Sequence, residues 1–451
     1  MPRDKVLLTV TALVTAIGVF LCAAASADTG SSNEDMLREI RELKKIVEFQ
    51  QKKIEDLEQR VIKTESSARA VGEPASATEI DKRIDERLKQ RAPAYQLMEG
   101  LSLGVQATTI VQGARDANGD TLLSQGEDET DANMTVNVDF NKKFGEYGEG
   151  YVQFKSAPGA GLDRSLKLYG NVNNNACDDS SVYMPEAWYE HYFQNLSAAL
   201  TFGKLDMTNY IDTNEYANMD TTQFISGIFG NSPVIEFPAS NGAGVHFGMA
   251  PYDFFDVNFV AADSKSQWDN VFDAMFLAGE INFKPRFLSR PGNYRFTAWR
   301  NGNNHTKWRD SSKEKENGYG YGVSFDQEVT DIAGVFVRYG WQDPDVYLSG
   351  NTVSLERSWS IGPQFKGAPW GRPDDVTGVG FGRIVPSGKY KSVNNLQAKT
   401  ESHLEWYYNY KVNEHLSLSP DLQIIWRPYG KDAANGDGTI VVGGLRGQMA
   451  F

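Results

Sequence analysis

Cysteine, histidine and long apolar runs are all scarce in this chain. It has two cysteines, Cys22 and Cys177, among 451 residues. Cys22 falls in a segment that reads as a targeting signal, so Cys177 is left alone and no intramolecular disulfide is expected in the mature chain. The five histidines (His191, His246, His305, His403 and His415) share no spacing, and no Cys-x-x-Cys-His occurs. Haem chemistry and a histidine-based hydrolase are therefore hard to assemble. A Gly-x-Ser-x-Gly elbow, a His-Glu-x-x-His helix and a phosphate-binding Walker loop are also missing, so neither an enzyme nor a cofactor is expected. Excess positive charge is lacking too: the net charge of −14 offers no basic face to displace counterions from nucleic acid. Beyond the first 27 residues no apolar run approaches the ~18 residues of a membrane helix. Any membrane crossing must use strands.

What is plentiful points the same way. Aromatics make up 12% of the chain, glycine contributes 42 residues, and the mean hydropathy is −0.46. That mixture suits a sheet whose residues alternate between lipid and water. The C-terminal stretch TIVVGGLRGQMAF is the clearest sign. Val441, Leu445, Met449 and Phe451 share one face at period two, while Arg446 and Gln448 share the other. A last strand ending on an aromatic residue fits a sheet that closes on its first strand.

The front of the chain is a different matter. Arg3 and Lys5, the apolar run Val6 to Leu21, and Ala25-Ser26-Ala27 read as a secretory signal over residues 1–27. A lipoprotein signal at Cys22 is the competing reading, but Leu21 stands where that processing needs a small residue. Within residues 28–95, Ile40, Val47, Ile54 and Val61 recur every seventh position, with Met36, Leu43, Gln50 and Leu57 between them. That seam, flanked by Glu39, Lys44, Lys53, Glu58, Arg60 and Glu65, predicts an α-helical coiled-coil stalk for periplasmic oligomerisation. The β-branched residues in the seam lean toward two strands.

From residue 96 onward the period changes to two. Met134, Val136, Val138 and Phe140 alternate with asparagine, threonine and aspartate, and Leu404, Trp406, Tyr408 and Tyr410 alternate with His403, Glu405, Tyr407 and Asn409. Segmenting on this pattern predicts about sixteen antiparallel strands over residues 96–451: an all-β transmembrane barrel behind the stalk. Connections after odd strands are mostly long (114–131, 157–181, 205–242) and those after even strands mostly short, as in outer-membrane barrels. Sixteen strands enclose a water-filled bore.

The longest connection, 205–242, is predicted to fold into the lumen, because Ile225, Ile228, Phe229, Val234, Ile235 and Phe237 are too apolar to lie in water. Strand-face parity adds Asp139, Glu190, Asp256, Arg295, Trp299, Arg338, Glu405, Asp421 and Arg446 as lining residues. No ladder of Arg and Lys suited to phosphate runs through them. Aromatic faces with flanking polar groups suit sugars, whose C–H faces stack while hydroxyls exchange hydrogen bonds.

Three stretches carry a family likeness. GPQFKGAPWGRPDD (362–375) with the strand after it, HLEWYYNYKVNEHLSLSPDLQIIWRP, and the terminal GGLRGQMAF together resemble the carbohydrate-selective porins of the OprB type. Gly203-Lys204-Leu205-Asp206, followed by a loop rich in Asp and Asn, is similar to that family's segment leading into the constriction. The resemblance implies a sixteen-stranded barrel passing sugars passively across the outer membrane, with Lys204, Asp206, Asn209, Asp212 and Glu215 at the narrowing. Lys204 stands where the family has a basic residue, keeping the charge without the guanidinium fork.

The partners this implies are small sugars or other small hydrophilic solutes, outer-membrane lipid, and further copies of the chain, with a trimer favoured because porins are often threefold. The alternative is a general or anion-selective porin whose stalk tethers the outer membrane to the cell wall. Asp116, Asn118, Asp120 and Glu127 take positions 1, 3, 5 and 12 of a calcium-loop pattern. Thr121 replaces the glycine that pattern needs, and no helices flank it, so an acidic hairpin loop is the expectation.

Overall fold

In the computed structural model, the described residues are 100–118, 128–432 and 438–451. The signal and stalk expected over residues 1–95 lie outside them. Sixteen long strands run in chain order: β1 Leu101–Arg115, β2 Glu129–Lys143, β3 Gly148–Ala157, β4 Ala187–Phe193, β5 Ala198–Leu205, β6 Gly242–Tyr252, β7 Phe255–Asp263, β8 Met275–Phe283, β9 Arg290–Lys307, β10 Glu316–Thr330, β11 Ala333–Gln342, β12 Leu355–Gly367, β13 Arg372–Pro386, β14 Glu401–Lys411, β15 Leu416–Trp426 and β16 Ile440–Ala450. Three short pieces, Asp179–Tyr183, Arg286–Phe287 and Val346–Leu348, pair with their edges.

Each long strand pairs antiparallel with the next, and β16 pairs antiparallel with β1 from Gln106↔Ala450 to Arg115↔Val441. The sheet is therefore closed, with no free edge left to solvent or lipid. Phe451 completes the seam by exchanging backbone hydrogen bonds with Val105.

Side chains alternate across this wall as the sequence predicts. On β16, Val441, Leu445 and Met449 are exposed outward, whereas Ile440, Val442 and Arg446 are buried inside. On β14, Trp406 and Tyr410 face out, and His403, Glu405 and Tyr407 are buried within. Both chain ends of the barrel lie at the rim of the short turns, such as 144–147 and 412–415. In outer-membrane barrels the rim of short turns is the periplasmic one and the longer connections lie outside.

The interior is not an empty bore. Ile211, Ile235, Val260, Phe276 and Trp299 form one buried cluster where the 206–241 connection meets the inner wall. Phe224, Ile228, Phe229, Phe336 and Tyr407 form another around its tip. A third, of Leu162, Leu166, Val172, Ile425, Ile440 and Val442, belongs to a different connection, 158–178. Two connections therefore fold inward, where sequence reasoning singled out one.

Candidate functional site

The 206–241 connection departs from β5 through a capped turn. Asp206 Oδ1 accepts the Thr208 backbone N–H at 2.9 Å and its hydroxyl at 2.7 Å, starting a 3-10 turn at Met207–Asn209. The chain then follows the inner wall from β8 to β16 and returns. Going out, the Asp212 N–H donates to Glu280 of β8 at 2.8 Å, Asn214 Nδ2 to Ser324 of β10 at 3.1 Å, and the Glu215 N–H to Asp326 at 3.2 Å. Coming back, Glu236 accepts from His305 of β9 at 2.7 Å.

Three charged wall residues grip this strap by its backbone. Arg338 of β11 donates to the carbonyls of Ala217, Phe229 and Asp212 at 2.7, 2.5 and 2.9 Å, and its Nε lies 3.3 Å from Asp212 Oδ1. Glu405 of β14 accepts the N–H groups of Ile225 and Ser226 at 2.5 and 3.0 Å. Arg446 of β16 donates to the carbonyls of Asp220 and Gln223 at 2.8 and 2.7 Å. Charged donors and acceptors give the stronger class of hydrogen bond, and burial magnifies it. Burial pushes the Asp212 carboxyl up, while the Arg338 charge and the Ser232 N–H hold it down.

The wall is also cut to receive the strap. A Cβ on Gly380 of β13 would stand 2.6 Å from the Phe229 ring, and one on Gly382 would stand 2.6 Å from Ile228. The bare backbone at these inward positions is the seat for the strap's apolar tip.

The second inward connection locks onto the first. Gln112 and Gln423 both donate to the Val172 carbonyl, and Asn133 Nδ2 donates to Asn175 Oδ1. The Asn174 N–H then bonds the Ile225 carbonyl at 2.9 Å, and Asn171 accepts from the Ser226 hydroxyl and the Gly227 N–H, both at 2.6 Å. Asp163 supports the turn through the N–H groups of Val172 and Asn173, and burial pushes its carboxyl up to about 6.

Between these fillings lies a half-exposed stretch of inner wall on β2 to β5. Tyr151 and Trp188 stack with centroids 5.1 Å apart. The Tyr151 hydroxyl donates to Asp139 at 2.6 Å, Gln153 donates to the same carboxylate at 2.8 Å, and Trp188 Nε1 donates to Glu186 at 3.1 Å. Asn209 of the strap reaches Glu186 at 3.4 Å, and Glu190 accepts from Thr201 at 2.7 Å. Burial, reinforced by the charge of Asp206, pushes the Glu186 carboxyl up to about 7. Two polar cavities open beside the strap. One of about 300 Å³ includes Tyr210, Asp256, Glu280 and Arg295 in its lining, and one of about 790 Å³ near the periplasmic rim includes Glu215, Gln364 and Asn409.

The residues singled out by sequence thus separate into groups. Asp206 and Asn209 come together with Glu186 beside the aromatic pair, Glu190 bonds Thr201 further along β4, and Glu215 borders the larger cavity. Arg338, Glu405 and Arg446 face inward but are covered by the strap they hold. Asp421 is buried near them, bonded to Gln423 at 2.9 Å. Arg295 is tied to Asp326 at 2.5 Å. Trp299 lies in the strap's apolar cluster rather than on a wet surface.

Lys204 corrects the expectation most sharply. It pairs with Ala187 and Ala243 on the outer side, shared with Phe202 and Val245, and its ammonium donates to the Met184 carbonyl at 2.7 Å. Glu186 and Trp188 escaped the sequence reading although parity with Glu190 places all three on one face. As for the calcium-loop pattern, Asn118 spends its side chain on the backbone of Lys167, and Asp120 and Glu127 lie outside the described residues.

A closed sixteen-stranded cylinder, apolar without, polar within, and narrowed by its own connections, is a porin of the bacterial outer membrane. The chain belongs to the OprB family of carbohydrate-selective porins, whose model matches residues 126–451. It is similar to the high-pH structure of OprB from Pseudomonas putida, at 16% identity and TM-score 0.66, over 80% of this chain and 97% of that one. The outer membrane channel DcaP of Acinetobacter baumannii matches at 13% identity and TM-score 0.49, over 78% and 98% of the two chains. An uncharacterized protein of Aquifex aeolicus (strain VF5) is 24% identical over 332 residues, 70% of this chain and 87% of its own length.

Proposed function

We propose that this porin conducts small neutral sugars, held briefly at the Tyr151–Trp188 face on their way past the strap. The stacked pair, with the carboxylates of Asp139 and Glu186 already oriented beside it, carries this reading. A sugar ring offers an apolar C–H face to the aromatics and hydroxyls to the carboxylates and to Gln153 and Asn209. An anion would meet an acidic surface there, which argues against a phosphate channel.

Single-channel conductance in a planar bilayer tests the proposal. Current should fall on titration with mono- and disaccharides and stay unchanged with phosphate. Block by phosphate without block by sugar would hand the protein to anion transport. Removal of residues 1–27 on export, and a stalk over 28–95 that joins barrels into a trimer or reaches the cell wall, complete the proposal. Deleting 28–95 should leave solute flux per barrel intact while lowering the oligomer mass.

A further inference from the structure

The outer wall carries arginines that the channel does not use. Arg300 of β9, Arg357 of β12 and Arg383 of β13 face away from the lumen, because their neighbours Trp299, Ser358 and Ile384 are the buried, inward ones. All three lie toward the external rim. Arg357 is two residues inside the start of β12, Arg383 three from the end of β13, and Arg300 pairs with Tyr319 near the start of β10. Aromatic rings stand beside them: Arg357 is opposite Trp341, which stacks on Tyr321 at 5.3 Å, and Arg383 is opposite Trp359.

Only Arg357 has an acidic neighbour, Glu356 at 3.4 Å. Among the described residues Arg300 and Arg383 have no ion pair or hydrogen bond, and the Arg383 Nε is closed off from solvent with no acceptor. A guanidinium on a lipid-facing wall without a counter-ion is costly, less so at the headgroup level than at mid-bilayer. The counter-ion must then come from the surroundings. Two phosphate oxygens match the guanidinium fork, and indole rings sit comfortably at the same depth.

We propose that this face, from β9 to β13, binds the phosphate groups of an anionic glycolipid of the outer leaflet. Its acyl chains run down past Val337, Ile361 and Val379, which are exposed on the same side. The lipid then supplies the anions that the protein omits, and the aromatic rings flank its sugar head.

Native mass spectrometry of the purified full chain, titrated with diphosphoryl lipid A and with its dephosphorylated form, tests this. The wild type should hold the phosphorylated form at least about tenfold more tightly, since each basic residue near an anionic surface contributes about a factor of five. R300Q/R357Q/R383Q should lose that preference with unchanged single-channel conductance, which also certifies its fold. The corresponding triple lysine variant should keep most of it. Equal retention of both lipids by the wild type, or undiminished preference in the glutamine variant, overturns the proposal. So does full displacement by millimolar inorganic phosphate, which would make this a free-anion site. A dimer mass that forms without lipid and disappears in the glutamine variant would assign the face to a second copy of this chain.

Discussion

Arg338 and Asp212 form an ion pair inside the barrel, Nε to Oδ1 at 3.3 Å, with each side chain 2% exposed. One partner belongs to the wall and the other to the strap, so the pair ties the strap to the wall. Removing one member of a buried pair costs ~3–5 kcal/mol, because the other charge is stranded. R338Q should lower the thermal midpoint, raise single-channel conductance and weaken block by sugar. Replacing both, R338M with D212N, should recover part of the stability while the conductance stays high. A double variant no more stable than R338Q would show that the carbonyl bonds of Arg338, not the ion pair, do the holding.

The seat at Gly380 makes a second prediction. In G380A the new methyl meets the Phe229 ring at 2.6 Å, and overpacking of this kind costs ~1–3 kcal/mol. The strap tip should lift, seen as faster hydrogen exchange at Phe224 to Gly230. Gly443, on the outer face of β16 with nothing within 4 Å of a Cβ, is the matched control, and G443A should leave both the thermal midpoint and the exchange unchanged.

Glu186 gives the channel a pH dependence. Its carboxyl in the folded protein titrates near 7 against an ordinary 4.5. A raised carboxyl contributes stability that is complete below the ordinary value and is lost as pH rises through about 7. Conduction follows the same titration: the site is neutral at low pH and negative above 7. Cation preference, read from the reversal potential in a salt gradient, should rise between about pH 5.5 and about pH 8.5. In E186Q the step should vanish. A step that persists there belongs to another acid.

Sugar block should depend on Trp188. W188A removes the stacking face, and aromatic contacts of this sort contribute ~0.5–1.5 kcal/mol. The half-blocking sugar concentration should rise about two- to tenfold with the open-channel current unchanged or higher. Y151F, which keeps the ring and drops the bond to Asp139, should show a smaller rise.

Much of the barrel was legible because its wall has one oily and one wet side, and that period survives in the letters from Leu101 to Phe451. Length and apolar content likewise betrayed the strap. Connection 158–178 was harder to see, since Asn171, Asn173, Asn174 and Asn175 are seated by amide hydrogen bonds and look on paper like an ordinary wet loop. Alternation tells which side a residue faces but not what covers it. Arg338, Glu405 and Arg446 therefore read as water-facing groups when they grip backbone. Lys204 stood at the narrowing by family resemblance alone, and its register with Ala187 and Ala243 puts it on the exterior.

The inward connections rest on β1, β2 and β8 through β16, including both partners of the closing seam, so their berth exists only once the last strand has met the first. Narrowing thus depends on closure, and a cylinder closed but not furnished would be an unguarded hole in the envelope. The many polar clasps between connections and wall serve the cell as insurance against that leak as much as they serve the solute in transit.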